Sequence, residues 1–228
     1  MAVPASRPVI VVDPGHSPSI HAVDPNTGLD VSDYENEPEM QDVFRVAELV
    51  KERLQADGYR VIFTKNSPDD RVNLAQRAAI ANDAHAALAL SIHDQAGTGG
   101  GIPFDQGNNI VYYQSVGDYR ATLNGRRISF SSSALAAVSK RYGEIFQAQR
   151  SASEGHPIRI QGNTGYDLGA RGLAAGDIWI VQLLATVPWI YNEAGGNSAG
   201  ISGLDSSDRQ RYATGLVDSV ERCVPIVK

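Results

Sequence analysis

Sulfur is nearly absent from this chain: 228 residues hold one cysteine, Cys223, and two methionines. A lone cysteine closes no internal disulfide, and it excludes a cysteine-rich zinc site. Positive charge is also in short supply. Twenty Lys and Arg against 26 Asp and Glu leave a net charge of −6 and a pI near 5.3. Nucleic acid as the main partner would need a basic stripe, which this balance argues against. An anionic polymer stays admissible as a substrate if local contacts hold it. No apolar run approaches the roughly 20 residues that cross a bilayer. The start, Met1-Ala-Val-Pro-Ala-Ser6, has neither the basic nor the apolar region of a signal peptide. A mature start after leader removal and a chain that never carried a leader would read alike. Internal repeats, heptads and low-complexity tracts are missing too.

What is present is a length sufficient for one large α/β domain, with no linker to divide it, so residues 1–228 are expected to form a single domain. Strand patterns at Pro8–Asp13, Tyr59–Thr64, Ala86–His93, Asn109–Gln114, Ile178–Leu183 and Trp189–Glu193 interleave with helical patterns. The helices are expected at Pro38–Asp57, Arg71–Asn82, Ser131–Ser151 and Ser206–Arg222. This alternation predicts a largely parallel sheet. Asp57-Gly58 supplies a glycine stop for the first helix, and Tyr59 resumes a strand at once. Three stretches read as loops: Ser17–Asp33, Gly97–Asn108 and the glycine-rich Glu154–Gly176.

Two histidines close apolar strands: His16 follows Val9-Ile-Val-Val-Asp-Pro-Gly15, and His93 ends Ala89-Leu-Ser-Ile-His93. Strand carboxyl ends in open α/β sheets are where ligands bind. Two imidazoles at one edge supply half of a catalytic zinc site, which takes three protein ligands and keeps one position open. The first helix offers a third. Val43, Val46, Val50 and Leu54 recur at helical spacing, and Glu39, four residues before Val43, extends that buried stripe. Glu37 lies roughly 200° around the helix from Glu39 and should face solvent. A second role is open to Glu39, because Asn36-Glu-Pro-Glu39 has the spacing of a capping box. His21, His85 and His156 have no comparable setting.

A hydrolytic site also needs a group that takes a proton from water and returns one to the leaving amine. Glu193 is the candidate, at the end of Val187-Pro-Trp-Ile-Tyr-Asn-Glu193 and before Ala194-Gly-Gly196. Asp13 is open to two readings, orienting the histidine loop or forming a turn in Asp-Pro-Gly.

Asp13-Pro-Gly-His16, Pro38-Glu39, Arg77-Ala-Ala-Ile-Ala-Asn82, Ser91-Ile-His93 and Asn192-Glu193-Ala-Gly195 occur in an order that resembles the zinc-dependent N-acetylmuramoyl-L-alanine amidases of bacterial and phage cell-wall hydrolysis. The likeness runs from about Pro8 to Val220. It implies one mixed, mostly parallel six-stranded sheet with helices on both faces. It also implies zinc held by His16, Glu39 and His93, with Glu193 as the catalytic glutamate. The implied reaction cuts the amide between N-acetylmuramic acid and the stem peptide's L-alanine. The implied partner is peptidoglycan, the implied state a monomer, and the implied location secreted, periplasmic or in the cell wall, or that of a phage lysin.

The chain departs from the family at Ser17-Pro-Ser19 after the first histidine, at Asp94-Gln95 after the second, and at Asn192-Glu-Ala-Gly195. None removes a ligand or the base; they bear on the shape of the peptide groove. Arg171 resembles a loop position that can meet the stem-peptide carboxylates, but its spacing to Pro188 is irregular, and it reads as a surface arginine. Ser131–Ser151 has the length of an ordinary flanking helix rather than a plug, so an open site is expected, with Gly97–Asn108 as a partial lid. Two other readings stand beside the amidase: a catalytically silent wall-binding or regulatory protein on the same fold, and a zinc peptidase acting within the stem.

Overall fold

The computed structural model describes residues 7–96, 105, 109–120, 127–130, 132–163, 179–195 and 203–226. In chain order the elements are β1 (Val9–Pro14), α1 (Glu37–Ala56), β2 (Arg60–Phe63), α2 (Leu74–Asp83), β3 (Leu88–His93), β4 (Ile110–Tyr113), β5 (Gly117–Arg120), β6 (Arg127–Phe130), α3 (Ser133–Glu154), β7 (Arg159–Gly162), α4 (Trp179–Leu184), β8 (Trp189–Glu193) and α5 (Ser206–Cys223).

Six strands form one sheet in the order β2-β1-β3-β8-β4-β7. Its pairs are parallel except β8 with β4. Alternation along the strands divides the core in two. Ile10, Val12, Leu88, Leu90, Ile92 and Ile190 pack with the apolar stripes of α1 and α5 and with Phe146 of α3. Val11, Ala89, Tyr112, Trp189 and Tyr191 face the other way, against Leu74 and Ala78 of α2 and Trp179 of α4.

The expected six-stranded sheet is present, but one of its strands is not the expected one. Residues 179–184 are helix, not strand. Trp179, Ile180, Val181 and Gln182 are all buried, and a short run buried on every side has no period to distinguish strand from helix. Tertiary bonds decide it. The Gln182 amide donates to the Tyr112 and Trp189 carbonyls, and the Trp179 ring packs edge-on against Tyr112 at 4.4 Å. The sixth strand is β7, inside the stretch read as irregular; Arg-Ile-Gln-Gly is too short for its alternation to register. The two-stranded β5–β6 sheet was also unanticipated. The helix expected to end at Ser151 continues to Glu154 and stops at Gly155, whose φ of 80° is the left-handed conformation glycine adopts freely.

On the α1–α5 face, Arg150 is fully buried and holds Glu154 one helical turn on, at 2.6 Å from Nε and 3.2 Å from Nη2. The same guanidinium donates to the Glu193 main-chain carbonyl at 3.1 Å and lies 4.5 Å over the Tyr212 ring. The Tyr212 hydroxyl in turn sits 3.2 Å from the His93 carbonyl and 3.1 Å from that of Asn192. Two helices thus grip the carboxyl ends of β3 and β8 from below. Removing one partner of a buried ion pair strands the other, at a cost of about 3–5 kcal/mol. Arg150→Met is therefore expected to lose that much in urea unfolding, and Arg150→Met/Glu154→Leu to recover most of it. A loss below about 1 kcal/mol for the single variant would remove the pair from this role.

Candidate metal centre

The chain moves from β1 outward to β2 and then returns to β3 on the other side of β1. The edge beyond the carboxyl ends of β1 and β3 is therefore a topological switch point, the place where open α/β sheets bind ligands. Asp13 and Pro14 lie in register with Ser91 and Ile92, and Gly15 prolongs the pairing by donating to the Ile92 carbonyl at 2.9 Å. His16 then leaves the strand with φ 55°, a conformation L-residues adopt at a cost.

Buried cations hold that conformation. Arg77 of α2 donates to the Pro14 and His16 carbonyls at 2.8 and 2.6 Å, and Lys65 donates to those of Gly15 and His16 at 3.0 and 2.6 Å. Arg77 also binds Asp13 at 2.5 Å, Asp33 at 2.9 Å and the Ser17 hydroxyl at 2.8 Å. Asp13 accepts from Thr64 and Ser91 as well, and Ser91 accepts from the Trp189 indole at 2.8 Å. Asp13 is thus a buried anchor for the loop rather than a turn residue. Burial opposes its charge, but Arg77 and these hydroxyls outweigh that and keep its pKa below the ordinary value.

The His16 ring is set by its Nδ1, 2.9 Å from the Tyr34 carbonyl, which leaves Nε2 toward Glu39 Oε2 at 2.9 Å. The other Glu39 oxygen, Oε1, is 2.8 Å from His93 Nδ1 and accepts from the Asp94 amide at 3.2 Å. One donor atom from each of His16, Glu39 and His93 lies within 4.8 Å of the others, so the group could hold a metal ion. Glu39 is buried in the first turn of α1, while Glu37 is exposed. The capping-box role does not form: Asn36 makes no side-chain cap bond. Its amide instead donates to Glu39 Oε2 at 2.8 Å and to the Ala96 carbonyl at 3.0 Å, so Asn36 aims the carboxylate. Gly15 earns its place by contact. A β-carbon there would fall 2.4–2.6 Å from three atoms of the His93 ring.

Glu193 ends β8 in direct register with His93. Its Oε2 accepts from the Tyr191 hydroxyl at 2.5 Å, and the Tyr191 ring lies 4.6 Å from that of His93. Electrostatics differ sharply among these groups. Burial disfavours charge on His16, yet the Glu39 carboxylate raises its pKa to about 9. Burial likewise opposes ionisation of Glu39, but both histidines outweigh it and hold the pKa at about 2. His93 is lowered, first by burial. Glu193 is raised well above the ordinary carboxylate value, by burial and then by the charge of Glu39. Asp94 is raised too, by burial, Glu39 and Asp42 in that order.

His21, His85 and His156 lie outside the His16–Glu39–His93 group. Arg171 and, apart from Asp105, the loop 97–108 lie outside the described residues. Arg77, Lys65, Gly15, Asn36 and Tyr191 are the shaping residues that spacing alone did not mark as such. Gly15 and Arg77 lie in the segments that resemble the family, Asn36 in the capping-box spacing and Tyr191 in the apolar run ending at Glu193. No described helix is long and apolar enough to cross a membrane.

A profile of the family described as N-acetylmuramoyl-L-alanine amidase matches residues 10–221. Among solved structures, the apo N-acetylmuramyl-L-alanine amidase Ami1 of Mycobacterium abscessus superposes with a TM-score of 0.67 at 18% identity, covering 96% of this chain and 99% of that one. Ami1 of Mycobacterium smegmatis gives 0.60 at 19% identity, covering 95% and 96%. The catalytic domain of CwlV, an amidase from Bacillus (Paenibacillus) polymyxa var. colistinus, gives 0.59 at 17% identity, covering 94% and 97%. At such identities these likenesses speak for the fold. Comparison with curated protein sequences gives no match. The profile spans nearly the whole chain, and on that ground the protein belongs to the N-acetylmuramoyl-L-alanine amidase family.

Proposed function

We propose that this chain is a zinc-dependent peptidoglycan hydrolase that cleaves the amide between N-acetylmuramic acid and the L-alanine of the stem peptide. The observation that carries the reading is a His–Glu–His donor set with a separate carboxylate, Glu193, beside it on the same sheet edge. A binding protein has no use for both. In this reading residues 1–228 act as one catalytic domain, and the protein works as a monomer on the cell wall, outside the cell or as a phage lysin.

The donor set fits zinc by its chemistry. Two imidazoles and a carboxylate are ligands that a catalytic zinc takes while keeping a fourth position open. One ligand atom from each of His16, Glu39 and His93 lies within 4.8 Å of the others. The Nδ1–H of His16 donates to the Tyr34 carbonyl, the outer bond that fixes a ligating imidazole's tautomer. Zinc, when bound, supplies charge that polarises a carbonyl and makes water acidic near pH ~7.

The protein's own part is proton handling and orientation. Glu193 takes the proton of the attacking water on its carboxylate and delivers it to the departing L-alanine nitrogen. Burial raises its pKa, which makes it a better base and lets it retain the proton until the amine leaves. Gly15 and Asn36 keep His93 and Glu39 in place through the contacts described above.

Three outcomes are expected. Purified peptidoglycan should release stem peptides beginning with L-alanine, with release lost on chelation and restored by zinc; mass spectrometry of the fragments reads this directly. Cuts inside the stem would make the protein a peptidase instead, and an intact wall beside a folded, zinc-loaded protein would favour the silent binder. Glu193→Gln should keep near-stoichiometric zinc by elemental analysis while turnover falls at least about 100-fold. Gly15→Ala should push the His93 ring aside and weaken zinc binding in calorimetric titration by about tenfold or more, with little change in Tm. His93→Ala with full zinc occupancy would remove that residue from the ligand set.

A further inference from the structure

The base assigned to Glu193 requires one carboxylate oxygen to face the substrate in a fixed rotamer, and a strand-end glutamate has three side-chain torsions with which to leave it. We propose that Tyr191 is the positioning residue for this glutamate: it pins Oε2 and leaves Oε1 as the oxygen that exchanges the proton. The inference rests on the reading of Glu193 as the base and adds the group that aims it.

Residues two apart on a strand share a face, so Tyr191 and Glu193 project to the same side of β8. There the Tyr191 hydroxyl donates to Glu193 Oε2. A phenol donor is only as fixed as its ring, and this ring is confined on several sides. His93 lies 4.6 Å away with a 38° tilt, Tyr112 of β4 at 5.8 Å and Trp179 of α4 at 6.4 Å. Tyr191 is Tyr112's register partner across the antiparallel pair, so the backbone enforces that contact. The ring is buried, while Glu193 is only half-buried and reaches the open edge. Tyr191 thereby touches both halves of the site: its ring packs on a candidate metal ligand and its hydroxyl holds the candidate base.

A phenylalanine keeps the ring and its packing but removes the donor. A hydrogen bond to a charged group is strong enough that its loss corresponds to about 10–100-fold in rate. Tyr191→Phe is therefore expected to lower kcat on peptidoglycan fragments by that factor. KM should stay within about twofold, with zinc content and Tm near those of the parent. Tyr191→Leu, which also removes the ring from His93, is expected to weaken zinc binding in addition.

The decisive arm is the double variant. If Tyr191 works by aiming Glu193, Tyr191→Phe should cost nothing further in a Glu193→Gln background, since the carboxylate to be aimed is gone. An equal loss in both backgrounds would mean a general structural effect and would overturn the proposal. So would a Tyr191→Phe enzyme with parental kcat, or one whose defect is lost zinc. Should Glu193→Gln itself remain active, the base reading falls first, and that result is told apart by needing no change at Tyr191.

Discussion

A guanidinium removed from water must have its charge and its donors answered within the protein, and the strand edge of this molecule is arranged around that demand at Arg77. The side chain is 1% exposed and donates to carboxylates, a hydroxyl and main-chain carbonyls belonging to Asp13, Asp33, Ser17, Pro14 and His16, among others. Lys65, equally buried, adds a second positive charge, so the two cations balance the carboxylates of Asp13 and Asp33. Burial, followed by repulsion from Arg77, lowers the Lys65 pKa to about 8. The cluster is neutral as a whole. Because it consumes the carbonyls of three successive residues, it dictates the path of Pro14-Gly15-His16. The left-handed backbone of His16, which costs about 1–3 kcal/mol, persists because the surroundings over-determine it.

From that fixed loop the other parts of the centre follow by topology. In a β–α–β unit the helix starts at the strand's carboxyl edge and carries the chain back, so the first turn of α1 stands beside the end of β1. Glu39 occupies that turn, and the apolar stripe behind it fixes which way it points. β3 and β8 run parallel to β1, and their register puts His93 level with Glu193. Three elements therefore deliver three donors to one place, and each is positioned by a neighbour of its own. Tyr34 sets His16, Asn36 sets Glu39, and Gly15 leaves room for His93. The site is also rich in negative charge. Glu39 and Asp42 both raise Asp94, and Glu39 raises Glu193. A cation held by Glu39 would relieve that repulsion.

How much of this was legible from the residues depended on whether the signal was periodic or spatial. Val43, Val46, Val50 and Leu54 announced both α1 and the direction of Glu39, because a helical stripe is a sequence property. The apolar runs ending in His93 and Glu193 announced strands, and their common edge followed from the alternation of elements. Residues 178–183 misled for the same reason: an apolar run without a period is ambiguous, and Gln182 chose helix through bonds to β4 and β8. Strand β7 was hidden by its brevity. Asn36 carried a capping signal that tertiary structure redirected toward Glu39. Lys65, distant in sequence from its partners, offered no local sign that it would be buried, and the role of Arg77 likewise exists only once α2 is packed against β1.

Strand β8 shows how tightly the two requirements of fold and chemistry are joined. On one side, Trp189, Tyr191 and Glu193 meet Ser91 and His93 and form the wall of the centre. On the other, Ile190 lies in the core, and Asn192 donates to the Ser91 carbonyl. Arg150 and Tyr212 then bind the carbonyls of Glu193, Asn192 and His93 from the helices beneath. A shift of one residue in β8 would exchange the faces, burying Asn192 where Tyr191 belongs and turning the glutamate into the core. The buried ion pair below and the aromatic wall above therefore guard the same register. Tight packing and fixed hydrogen bonds hold Glu193 level with His93, and the roles proposed for the two, proton carrier and metal ligand on neighbouring strands, would require that accuracy.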